Sequence, residues 1–247
     1  MQSTLYSNIW TKKMRTDAHN RPIPELISYK LLRKMVGCIG FLLPIVLYVG
    51  VIVEKLWLNR TEHLGLIENL NFFKPESSIS FYYYSVMGNV FVGMVTAIAI
   101  FLFAYKGHEK DPDDLMSDNV AGNFACVFAL GVAFFPCNFC PEVDTISGTI
   151  HIICAFLFFS TLAYFSLVLF TKFKNAVTPK KIIRNKIYKR CGYTIIAALL
   201  FLGLEMIPAV HEITGNTIYF WAWEVVALWA FAFAWLVKGD YFNRYAD

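Results

Sequence analysis

Residues 35–53 read MVGCIGFLLPIVLYVGVIV, nineteen positions without a charge. A helix needs about 20 mostly apolar residues to cross the hydrocarbon of a bilayer. This stretch therefore predicts a membrane span. Working outward from it, five more stretches have the same character: about 85–105, 119–136, 148–170, 192–208 and 217–237. The fifth is short and needs flanking interfacial residues to cross. The composition agrees, with 57% hydrophobic residues and 23 Phe in 247 residues. Charged residues make up 16%, against roughly 25% in soluble domains. A soluble globule of this size could not hide so much apolar surface. The composition excludes an ordinary soluble enzyme, a disordered chain and a nucleic-acid-binding module. The expected fold is all-α: one integral membrane bundle of six transmembrane helices over residues 1–247. Residues 1–30 form a polar N-terminal segment, and residues 54–84 form the longest loop, too small for a domain of its own.

The basic residues orient this bundle. The N-terminal segment carries Lys12, Lys13, Arg15, Arg21, Lys30, Arg33 and Lys34. The second loop carries Lys106 and Lys110, and the tail carries Lys238 and Arg244. The fourth loop carries eight basic residues between Lys172 and Arg190. Together these alternate segments hold 19 of the 22 Lys and Arg, leaving Lys55, Arg60 and Lys74 for the other side. Positive loops stay cytoplasmic, so both termini are expected in the cytoplasm, and the 54–84 loop outside. Residues 1–28 lack the apolar core of a signal peptide, so the first span is expected to do the targeting. Phe81 to Tyr84, and Tyr219, Trp221 and Trp223, then form aromatic belts at the outer interface. Small residues are expected where helices approach: Gly37 and Gly40, Gly88 and Gly93, Ala121, Gly122 and Ala125, and the ladder Ala227, Ala230, Ala234.

Ionisable groups inside a bilayer are costly and usually face the bundle interior. The topology puts His151, Glu205 and Glu224 at similar depth in the outer half, with Asn89 able to join them. In that arrangement Glu224 and Glu205 are acceptors or cation ligands, and His151 is a hydrogen-bond donor or proton partner. Asn89 orients a ligand, and Tyr83 and Trp221 line the entrance. An alternative is that these groups only bond to one another and fix helix register. A metal set would have to be assembled from His151, Glu205, Glu224 and His211, without HExxH spacing to support it. The expectation is no cofactor and no resident metal. Neither a nucleophile elbow nor a P-loop is present.

Cys38, Cys126, Cys154 and Cys191 read as small apolar fillers. Cys137 and Cys140, in Cys-Asn-Phe-Cys of the third loop, fall on the outer side, where a disulfide can form. A membrane thiol oxidase would need a second outer cysteine pair, which the sequence lacks.

Several motifs taken together resemble a family of six-span bacterial membrane proteins. They are Ser78 to Tyr84 followed by Asn89-Val90-Phe91-Val92-Gly93, Ala121-Gly122-Asn123, and Gly131 to Pro136. They continue with Ile150-His151, Trp223-Glu224 and Ala234-Trp235-Leu236-Val237-Lys238-Gly239. More distantly the layout is similar to the DRAM/FRAG/SFK group, which tends to carry a His at the start of its fourth span and a Glu in its sixth. His151 and Glu224 are the matching positions. The resemblance implies a lipid-related membrane role and assigns no reaction. Related sequences often have Asp where this chain has Asn89, which removes a charge there. The expected function is to bind, organise or move lipid or a small amphiphile. A non-catalytic membrane subunit or scaffold, and a metal-dependent lipid hydrolase, are the alternatives. The expected partners are membrane lipid, with membrane proteins or further copies of the chain as additional candidates, and no nucleic acid.

Overall fold

The computed structural model describes residues 28–62, 72–107, 115–138, 145–172, 178–215 and 217–242. Among these residues the fold is entirely helical. In chain order the helices are α1 (Tyr29–Glu62), α2 (Gly88–Ala104), α3 (Asp118–Phe134), α4 (Ile146–Tyr164), α5 (Pro179–Leu204), α6 (Pro208–Thr214) and α7 (Tyr219–Lys238). Four stretches are long and apolar enough to cross a membrane: Tyr29–Arg60, Ile146–Leu169, Pro179–Leu204 and Tyr219–Lys238. The helices α2 and α3 are apolar but shorter, at 17 residues each.

Capping chemistry sets several of the helix starts. Ser117, Thr145 and Thr178 each accept a hydrogen bond from a backbone N–H in the first turn of α3, α4 and α5. Such a bond satisfies one of the orphan donors at a helix N-terminus. At α5, Pro179 follows Thr178 directly, a favoured first helical residue. That start corrects the expected span of 192–208. The basic stretch from Lys180 to Arg190, read as loop, is the first half of α5. Hydropathy finds only the apolar half of such a helix. Likewise α1 runs beyond Val53 to Glu62, into the expected loop.

Six of the helices form a closed ring. Each packs on its neighbour in the order α1, α2, α3, α4, α5, α7, and α7 closes back on α1. Small residues make the close approaches. A Cβ on Gly37 would stand 2.7 Å from Leu236 Cγ, and one on Gly122 would stand 2.6 Å from the Leu102 carbonyl oxygen. Ala121, Ala125, Ala227 and Ala234 are fully buried. Gly93 departs from expectation, since a Cβ there would meet nothing within 4 Å. Ala230 is half-buried.

The interior is packed with rings. Trp235 is fully buried, with Tyr105, Phe165 and Phe170 at 5.2, 5.3 and 5.3 Å between centroids. Phe165 and Phe170 reach the same Trp because residues 165–169 form a π turn, closed by Phe170 N–H donating to the Phe165 carbonyl at 2.9 Å. In an α-helix, residues five apart point in different directions. The outside of the ring is apolar too. Val49, Phe103, Val127, Phe156, Leu200 and Phe233 are all exposed, on six different helices. Exposed apolar side chains on every ring helix are what a helix bundle presents to lipid.

Candidate functional site

Residues 72–87 are a strap across one end of the ring. Its buried side chains are Phe72, Ser78, Ile79 and Tyr82, and Ser80–Tyr84 form a single 3-10 turn. The strap is tied down at four places. On α1, Tyr48 Oη donates to the Phe73 carbonyl at 2.9 Å. On α7, Glu224 accepts from Ser78 Oγ at 3.0 Å and from the Ile79 N–H at 2.5 Å. On α4, His151 Nε2 meets Ser80 Oγ at 2.9 Å. Beyond the end of α3, Tyr84 Oη donates to the Cys137 carbonyl at 2.5 Å. Gly88 is needed where the strap enters α2, because a Cβ there would collide with the Tyr83 carbonyl.

The geometry fixes the histidine tautomer. His151 Nδ1 lies 2.7 Å from the Phe135 carbonyl oxygen, which only accepts, so Nδ1 carries the proton. In the neutral ring Nε2 is then an acceptor, and Ser80 donates to it. Ser80 N–H in turn donates to Ser78 Oγ at 3.0 Å. A continuous hydrogen-bonded chain therefore runs from α4 to α7: His151, Ser80, Ser78, Glu224. His151 is buried and both Glu224 oxygens are engaged.

Of the expected site residues, the structure brings only His151 and Glu224 to this network. Glu205 is elsewhere. It is buried at the end of α5 and accepts from Thr214 Oγ1 of α6, with His211 Nδ1 at 3.2 Å. The reason is local. Pro208 starts a new short helix after α5, and α6 folds back so that its polar face meets Glu205. Asn89 is exposed, and its side chain makes no hydrogen bond with any described residue. It lies one position past Gly88, and that offset turns it outward from the helix face that packs. Tyr83 is half-buried, with its ring 5.2 Å from that of Tyr84. Trp221 is half-buried against Tyr48 at 6.3 Å, beside the strap.

Ser78 and Ser80 are the residues that sequence reasoning missed as participants. Their signal was present, since two serines flank an Ile just before an aromatic run that was read only as an interfacial belt. Cys137 lies close enough to Glu224 to feel its charge. Burial, with the Glu224 carboxylate second, pushes the Cys137 thiol up to about 11, so little of it is thiolate at neutral pH. Burial likewise pushes the Tyr82 phenol up to about 12. Cys140 lies outside the described residues. Among those residues, no group of three or more His, Cys, Asp or Glu lies together in a way that could hold a metal ion. Apart from the strap end, an apolar groove of about 300 Å³ runs between α3 and α4, lined by Phe124, Phe128, Leu157 and Tyr164.

No protein-family model, no curated protein and no solved structure matches this chain.

Proposed function

We propose that the chain is a six-span membrane protein with cytoplasmic termini that binds or moves lipid or another small amphiphile at its strap end, in the outer half of the bilayer. The six ring helices support the span count, because 17 residues lie at the short limit of a membrane helix. The distribution of Lys and Arg supports the orientation. The motif resemblance to six-span bacterial proteins, and distantly to the DRAM/FRAG/SFK group, points the same way.

The observation that carries the reading is the chain from His151 through Ser80 and Ser78 to Glu224. It joins an imidazole and a carboxylate through the Ser80 hydroxyl and N–H and the Ser78 hydroxyl, beneath the strap. A headgroup bearing hydroxyls or an ammonium substitutes for Ser78 and the Ile79 N–H as donors to Glu224, with Tyr83 and Trp221 at the mouth. The two satisfied oxygens of Glu224 favour a second reading, a scaffold in which the network only clamps the strap.

Native mass spectrometry of protein released gently from its own membrane separates these readings. Wild type is compared with His151→Ala, Ser80→Ala and Glu224→Gln. A retained lipid lost in the variants supports the ligand site. Bare protein in every sample, with the variants melting lower, leaves the clamp. A stoichiometric metal lost with His151 would instead support a metal-dependent hydrolase.

A further inference from the structure

Ser80 and His151 meet in a way that other hydroxyls of the bundle do not. Thr149, Thr161, Ser166 and Thr171 each donate to the carbonyl four residues back, at 2.8–3.1 Å. That is the ordinary way for a hydroxyl to be satisfied in an apolar helix. Ser80 Oγ instead reaches a different element, 2.9 Å from His151 Nε2 and 71 positions away in the chain. Separations of about 2.6–3.2 Å are those at which an imidazole takes a hydroxyl proton as general base.

The imidazole is held from behind. Its Nδ1–H donates to the Phe135 carbonyl at 2.7 Å. Phe135 is the C-cap of α3, where carbonyls lack partners within the helix and the helix dipole presents its negative end. A nucleophilic serine needs a base that is itself oriented by a third group. Here a helix end stands where a carboxylate often does. It fixes the tautomer and favours the imidazolium that forms. The serine is held as well. Its N–H donates to Ser78 Oγ at 3.0 Å, and Ser78 Oγ donates to Glu224 at 3.0 Å. Ser80 is half-buried, while His151 behind it is 4% exposed. The hydroxyl is therefore open to approach and its base is shielded from water.

We propose that Ser80 is the nucleophile and His151 the general base of a serine-type hydrolase acting on the carboxylic ester of a membrane lipid. This rests on the reading of the strap end as a lipid site and adds a reaction to it. Aromatic residues such as Tyr83 and Trp221 favour the headgroup level, next to the depth at which lipid ester linkages lie. Ser80 Oγ attacks the ester carbonyl carbon, and its proton passes to His151 Nε2. The bond from that carbon to the lipid's alcohol oxygen breaks, and Nε2 gives the proton to the departing oxygen. The acyl chain is left esterified to Ser80. Water then attacks the same carbon and gives a proton to Nε2. The bond to Ser80 breaks, and Oγ takes that proton back. A fatty acid and a lyso-lipid leave, with both side chains restored.

The test uses the full chain in nanodiscs of ester-linked phosphatidylethanolamine, phosphatidylglycerol and phosphatidylcholine. Wild type, Ser80→Ala and His151→Gln are treated with a fluorophosphonate probe, and the modified residue is identified by mass. Ser77, Ser78 and Ser85 of the same strap are internal controls in every sample. The expected result is labelling of wild type at Ser80 and not at the control serines, with a rate about a hundredfold lower in His151→Gln. Wild type should also release fatty acid from these nanodiscs, and not from nanodiscs of the ether-linked analogues. Both wild-type measurements stand whether or not the variants fold. An unlabelled Ser80, labelling spread over the strap serines, or an equal rate in His151→Gln overturns the pair. Labelling of Ser80 without release of fatty acid overturns the lipid ester as its substrate. A lipid retained in native mass spectrometry beside an unlabelled Ser80 overturns this inference and leaves the strap-end lipid site standing, whereas bare, unlabelled protein overturns both.

Discussion

The two ends of the ring solve the same problem with different chemistry. At the strap end, a carboxylate and an imidazole are satisfied by hydroxyls and backbone groups: Ser78, Ser80, the Ile79 N–H and the Phe135 carbonyl. At the basic end, charges face other charges and aromatic faces. Arg33 and Asp118 share the Tyr105 hydroxyl, and Lys30 and Arg184 share Asp240. Dipole donors are directional, so the strap end specifies one position of the strap. Charge pairs are stronger but tolerant in angle, so the basic end specifies the helices it gathers more than any one contact. The backbone follows the same division. Asp240 adopts φ 54°, with Tyr241 N–H donating to the Leu236 carbonyl and Asp240 N–H to the Val237 carbonyl. This is the left-handed helix ending that usually takes Gly, held here by two ion pairs.

The comparison breaks first at Asp118. It is 1% exposed and accepts from Tyr105 Oη at 2.9 Å. Gly107, at φ +56°, passes tightly against it. Asp118→Ala leaves the buried Tyr105 hydroxyl without its acceptor and removes the carboxylate whose charge reaches Lys238, and a loss of about 3 kcal/mol is expected, measured as a fall in the thermal midpoint in detergent. Gly88→Ala strikes the other end by driving a Cβ into the Tyr83 carbonyl. About 2 kcal/mol is expected, with hydrogen exchange of residues 78–84 accelerated more than that of α7. Uniform acceleration would mean that the strap is not a separate unit.

Smaller changes sharpen the contrast. Glu224→Gln presents one amide where two donors point, and about 1.5 kcal/mol is expected. The same substitution removes the second contribution, after burial, to the raised Cys137 pKa. At pH 8 the Cys137 peptide should therefore be alkylated faster than in wild type, as read by mass, while burial keeps it slower than a free thiol. An unchanged rate would show that the carboxylate is not ionised beside it. The least effect belongs to Asp240→Gly. Glycine relieves the positive φ while two ion pairs are lost, one of them to Lys30, whose side chain is 65% exposed. The terms oppose each other, and a net change within about 0.5 kcal/mol is expected. Raising the salt to 1 M screens the ion-pair term and should leave the stabilising glycine term exposed.

Much of this architecture is legible from residue type and order. Uncharged stretches of nearly twenty residues leave few solutions other than membrane-length helices. The caps Ser117, Thr145 and Thr178 were not read from the sequence, and at α5 the start was expected at 192 where the helix begins at Pro179. Gly37, Gly40 and Gly122 mark where backbones come close. His151 and Glu224 stand out because an ionisable group in an apolar helix must meet a partner. The partners were not legible. Residues in different helices meet according to helix rotation and loop path, which depend on side-chain packing summed over the whole ring. Glu205 has the same sequence signature as Glu224, yet it is satisfied by its own neighbour α6 because Pro208 turns the chain back. Ser78 and Ser80 carry only the weak signature of two serines flanking Ile79, since a serine becomes a bridge only where a strap lays it between two helices. Local chemistry determined the elements and their ends. The tertiary structure alone decided which polar groups meet, because meeting is a property of relative position and single residues carry no information about it.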